Sequence, residues 1–158
     1  MRRWVALSAL LLFAGVACGE SGATATASPS PSPTTQTPSP SAGPTLRFTL
    51  KPEPGVTATG TITVTARADA MTVQLDIKGL QSSSSHISHI HVGTCSQRGS
   101  IAFALNQVIA DGQGASITRT ALKAAYPPKT GHWYVVVHSG ADMQGTNAKY
   151  LLCGNLFS

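Results

Sequence analysis

The groups in this chain best suited to chemistry lie in His86-Ile87-Ser88-His89-Ile90-His91 and, further along, Val135-Val136-Val137-His138. Histidine is the commonest metal ligand. If both runs are strands, side chains alternate faces and advance about 3.3 Å per residue, so His89 and His91 project from one side with Cα atoms roughly 6.5 Å apart. Two imidazoles at that spacing can close on one ion, and His138 can join them from the second run. Ile90 and Val92 then point the other way, as core residues. In the second run Trp133, Val135 and Val137 share one face, and His132, Tyr134, Val136 and His138 share the other. This puts both histidine groups on the outer, wet face of an apolar sheet. His132 is about 20 Å along the strand from His138, too far to ligate the same ion. The spacing leaves a second reading open, in which these histidines are polar side chains hydrogen-bonded to one another.

The segment before these runs carries an address. Arg2 and Arg3 precede an apolar stretch, Trp4 to Val16, that is short for a membrane span, so residues 1–17 have the build of a signal peptide. Ala14-Gly15-Val16-Ala17-Cys18 resembles a bacterial lipobox, which implies cleavage before Cys18 and a lipid on its sulfur. An ordinary signal peptide with an incidental Cys18 is the alternative. From residue 18 to 44 the chain is rich in Ser, Thr and Pro, with Glu20 its one charge, too polar to offset the entropy of ordering it. It reads as a disordered tether holding an exported domain at the surface of a bacterial membrane.

Residues 45–158 form that domain. Apart from Arg2, Arg3 and Glu20, nine basic residues face five acidic ones, and the basic residues are scattered, which argues against nucleic-acid binding. Cys95 and Cys153 are the domain's two cysteines. In an oxidising compartment such a pair most simply forms a disulfide, closing a loop that the chain-entropy model values at about 4 kcal/mol. A cysteine-containing metal site is the rival, without the close spacing of a zinc site.

The elements that must position these groups are strands. Leu46, Phe48 and Leu50 alternate with Arg47, Thr49 and Lys51; Ala58, Gly60, Ile62 and Val64 alternate with threonines; Val73, Leu75 and Ile77 face in across Met71 to Lys78, which Gly79 ends. Shorter candidates follow at residues 101–104, 115–120, 133–138 and 149–152, and no window carries an apolar period of 3.6. About eight short antiparallel strands make an all-β Greek-key barrel or sandwich with one disulfide.

Ile77-Lys78-Gly79-Leu80, His86-x-x-His89-x-His91, the nearby Cys95, and then Val-Val-His138 with Ala141-Asp142 and Cys153-Gly154 resemble the copper/zinc superoxide dismutase family. The resemblance implies that His89, His91 and His138 bind one copper ion. It also implies that His86 supports the site from behind, that Asp142 orients a ligating histidine, and that Cys95 and Cys153 are bridged. It stops short of the family's zinc site. Ile101 stands where the bridging histidine belongs, no histidine falls between His91 and His132, and Tyr150 replaces the arginine that attracts superoxide. His-Ile-His followed by Gly, and Gly-x-Trp-Tyr-Val-Val-Val-His, also resemble the chordin-type (CHRD) domains of bacterial exported proteins.

Three imidazoles with an open position suit copper in both oxidation states and also accept zinc. Three functions follow: a copper-dependent superoxide dismutase, a copper-holding module without turnover, and a metal-free binding or structural domain. The histidines favour the first two; Ile101 and Tyr150 favour the last two. A hydrolase triad drawn from Ser139, Asp142 and His138 lacks a nucleophile-elbow sequence.

Overall fold

The structure, a computed structural model, describes residues 43–157. The signal peptide, Cys18 and the tether up to residue 42 lie outside the described residues.

The period-two alternation becomes strands throughout. In chain order they are β1 (Thr45–Pro52), β2 (Thr59–Ala66), β3 (Met71–Lys78), β4 (Ser85–His86), β5 (Ser88–Gly93), β6 (Arg98–Ala104), β7 (Val108–Ile109), β8 (Ser116–Leu122), β9 (Trp133–His138) and β10 (Tyr150–Asn155). The helical content of the described residues is one 3₁₀ turn, Gly145–Ala148.

Eight strands form one antiparallel sheet in the order β6-β5-β9-β10-β1-β2-β3-β8, and β4 pairs with β7 separately. Between β10 and β1 the ladder narrows to Lys51 opposite Cys153 and Pro52 opposite Leu152, so this junction joins two four-stranded halves. The sheet curls until its ends approach. Asn106, just past β6, donates its backbone N–H to Thr120 Oγ1 and its side-chain amide to the Arg119 carbonyl on β8, at 2.8 and 2.7 Å. The result is the expected all-β barrel-like fold.

The threonine-rich alternation explains which face turns inward. Ile62 lies opposite Leu75 and Val64 opposite Val73, and all four are fully buried while Thr61, Thr63 and Thr65 face out. Leu50, Ile77, Ile90, Val135, Val137 and Leu152 complete the core from both halves. Each such side chain contributes about 1.5–3 kcal/mol through removal from water. Gly79, with φ +78°, ends β3 as expected.

Several apolar strand residues are exposed, among them Leu46, Val92 and Ile117. Leu46 is 38 % exposed because the outer part of β1 pairs with β2 alone, beyond the β10 junction. Val92, expected in the core, is 44 % exposed; the β5–β6 register shifts between His91 and Gly93, which turns the strand end outward. Ile117 on the edge strand β8 is 67 % exposed.

Candidate metal centre

β5 lies between β6 and β9, and this placement gathers the histidines. His89 pairs with Val136 and His91 with Tyr134 across the β5–β9 ladder, while the His138 backbone N–H donates to the Ile87 carbonyl at 2.9 Å. The ligand-capable nitrogens of His89, His91 and His138 all lie within 4.8 Å of one another.

The face is the outer one, as the alternation implies, but it is not wet. His91 is 5 % exposed, His138 1 %, and Tyr134 and Val136 fully buried. Two loops cover it. The first is the β5–β6 loop, residues 94–97, tied down by the Cys95–Cys153 disulfide. The second, between β9 and β10, carries the 3₁₀ turn.

The start of β6, beside the first loop, and the end of the second loop each supply a carbonyl that fixes an imidazole. His91 Nδ1–H donates to Gly99 O at 2.9 Å and His138 Nδ1–H to Ala148 O at 2.8 Å. A carbonyl accepts only, so in the neutral rings both Nε2 atoms keep free lone pairs. His138 Nε2 then accepts from His89 Nδ1–H at 3.2 Å. His91 Nε2 is buried and has no hydrogen-bond partner among the described residues. A lone pair left in that state costs about 1–3 kcal/mol. Mutual hydrogen bonding accounts for His89 with His138 but not for His91. The donor set therefore fits a cation: three neutral imidazole nitrogens converge, one of them otherwise unused.

His86 stands behind the cluster. Its Nδ1–H donates to the His138 carbonyl at 2.9 Å, and its Nε2 meets Ser84 Oγ at 2.7 Å, so it holds the β9 backbone. Asp142 differs from expectation. Its carboxylate accepts from the Gln144 backbone N–H and from Asn147 Nδ2, and neither bond reaches a histidine. Those two bonds hold the carboxyl below the usual carboxylate range. Asp142 thus shapes the loop that delivers Ala148 O, and backbone carbonyls do the orienting. His132 stays away from the cluster, with its ring 4.3 Å from that of Phe157.

Tyr134 and Tyr150 wall the cluster. The Tyr134 ring lies 5.1 Å from His91, the Tyr150 ring 5.4 Å from His138 and 5.9 Å from His91, and the two hydroxyls meet at 3.2 Å. A register shift between Tyr150 and Leu152 makes this possible, because in a regular strand the two would share a face. Instead Leu152 enters the main core and Tyr150 packs with Tyr134 and Cys153. Arg98, held by Glu53 at 2.9 Å, places its guanidinium 4.1 Å from the Tyr150 ring centre. Ile101 pairs across the ladder with His91 and is 47 % exposed. Gly99, Ala148, Tyr134 and Arg98 were not among the expected site residues. Tyr134 alone had a signal, sharing the parity of His138.

Burial pushes the His89 and His138 imidazoles below their ordinary 6.5, reinforced by the neighbouring rings; for His138 the bond to Ala148 opposes the shift. The Tyr150 phenol is pushed up, by burial first and then by its bond to Tyr134. These shifts favour the neutral forms of the His89 and His138 imidazoles and of the Tyr150 phenol.

The CHRD domain family model matches residues 23–146. Among solved structures, a SOD-like protein from Bacillus subtilis is similar, at 15 % identity and a TM-score of 0.55, over 70 % of this chain and 97 % of that one. No protein with a curated description matches.

Proposed function

This chain belongs to the CHRD domain family, and we propose that it is an exported, lipid-anchored domain that holds one copper ion through His89, His91 and His138. The carrying observation is the unused, buried Nε2 of His91, which lies with His89 and His138 in a cluster spanning no more than 4.8 Å. The choice of copper rests on the donor set. Three neutral imidazoles with room for a further ligand serve both Cu(I) and Cu(II). Gly99 O and Ala148 O keep the Nδ1 protons of His91 and His138, leaving Nε2 of each to the ion. His89 would give up its hydrogen bond to His138 on binding the ion. The Arg2–Arg3 start, the apolar run and Cys18 support export and lipidation.

Dismutation of superoxide is the second reading, prompted by the fold shared with a SOD-like protein. When bound, copper supplies the one-electron chemistry that converts superoxide to oxygen and hydrogen peroxide. This chain's own residues favour holding over turnover. Ile101 cannot pass a proton beside His91, and the positive charge of Arg98 is shared with Glu53.

The test is the full chain produced in an oxidising compartment, loaded with copper, stripped of loosely held ions, and assayed for metal content and superoxide consumption. One retained copper without turnover above a bound-copper control is the expected result. Turnover well above that control makes the protein a dismutase, and no retained copper sinks the metal reading.

A further inference from the structure

We propose that Tyr134 is a positioning residue for the metal centre: its hydroxyl fixes Gly99, whose carbonyl in turn fixes the tautomer and orientation of His91. The inference rests on the copper-holding reading for its consequence, though the relay itself is a property of the protein without metal.

The relay consists of two hydrogen bonds on one residue. Gly99 N–H donates to Tyr134 Oη at 3.1 Å, and Gly99 O accepts from His91 Nδ1–H at 2.9 Å. Gly99 lies in a close approach that only glycine permits. A Cβ there would fall 2.1 Å from the Val92 carbonyl oxygen. Free of a side chain, Gly99 needs another anchor, and Tyr134 provides it.

The phenol is held at both ends. Its ring is fully buried and lies 5.1 Å from the His91 ring at a 30° tilt, directly across the β5–β9 ladder. Its oxygen accepts from Gly99, so its own proton needs an acceptor. The Tyr150 hydroxyl at 3.2 Å is its other hydrogen-bond partner among the described residues. Buried phenol protons find partners, so the bonds run in one direction, from Gly99 N–H to Tyr134 and from Tyr134 O–H to Tyr150. Tyr134 thus touches His91 twice, by its ring and through Gly99.

Groups behind a ligating histidine typically contribute 10–100-fold to metal affinity. Tyr134 acts one bond further out, and about a tenfold loss is expected for Tyr134→Phe, which keeps the ring and removes the hydroxyl. The experiment uses the full chain. In the metal-free form, nitrogen NMR reads the His91 tautomer and Gly99 amide exchange; with copper(II), chelator competition reads affinity and electron paramagnetic resonance reads the ligand field. Tyr150→Phe is the comparison, since it leaves the Gly99 bond in place. The relay predicts that wild-type His91 carries its proton on Nδ1. It further predicts that Tyr134→Phe accelerates Gly99 exchange about tenfold, weakens copper binding and changes the resonance spectrum, while Tyr150→Phe leaves Gly99 exchange within twofold of wild type. A wild-type His91 protonated on Nε2 overturns the proposal whether or not the variant folds. So does a folded Tyr134→Phe with Gly99 exchange or copper affinity unchanged. If the wild type retains no copper, the copper reading falls, and the His91 and Gly99 measurements still decide the relay.

Discussion

Three imidazoles are oriented here by means that differ ring by ring. His91 and His138 each give an Nδ1 proton to a loop carbonyl, and His89 leans on His138. Replacing His138 by Asn removes a proposed ligand and leaves His89 without its hydrogen-bond partner. Copper retention after chelation should fall at least 100-fold, read as metal per chain. Acid should act on the same groups. His89 and His138 titrate below 6.5 when folded, so just under that pH the unfolded chain binds more protons than the folded one. Their contribution to stability is complete above 6.5 and is lost as pH falls through the lowered values. Urea midpoints of the metal-free protein should therefore decline from pH 7 to pH 5, and His89→Asn should flatten that decline. The three ligand candidates were legible in sequence because parity along a strand is arithmetic. The carbonyls that orient them were not, since nothing in Gly99 or Ala148 as residue types announces where a loop will fold.

Strand β10 shows how far alternation can be trusted. Its residues read as an ordinary strand, and the main-core place of Leu152 follows. The side to which Tyr150 turns does not follow, because the shift between Tyr150 and Leu152 exists only relative to the partner β9. A similar shift in β5–β6 sets Ile101 beside His91 and turns Val92 outward. Bulges depend on pairing, and pairing is not written in one strand alone. By contrast β3 was readable from Met71 to Lys78, since both its neighbours pair in unbroken register. Gly154 on β10 offers a test at this scale. A Cβ there would lie 2.6 Å from the Thr49 carbonyl oxygen and 2.7 Å from Ile62 Cδ1. Gly154→Ala should destabilise the domain by about 2 kcal/mol through overpacking, measured by urea unfolding.

At the scale of the whole molecule, the disulfide ties the loop beside the histidine cluster to the strand that joins the two halves of the sheet. Cys95 and Cys153 are separated by 58 residues, for which the chain-entropy model gives about 4 kcal/mol. Reduction should lower the unfolding free energy by about that amount. Because the bridged loop leads directly into Gly99 at the start of β6, reduction should loosen copper before it unfolds the domain; titrating both with reductant orders the two events. The cysteines and the all-β class were legible from composition and alternation. The burial of the histidine face was not, because it depends on two loops closing over it.

The same junction sets a schedule for the newborn chain. Synthesis produces β1 first and β10 last, yet in space β10 lies between β9 and β1. Until β10 emerges, the β1-β2-β3-β8 half and the β6-β5-β9 group have no strand between them, and Cys95 has no partner. Completion of the sheet, closure of the bridge and packing of Tyr150 against the histidines all wait on β10, after the other nine strands exist. Closure over the proposed metal site is therefore tied to the last of the described strands to be made.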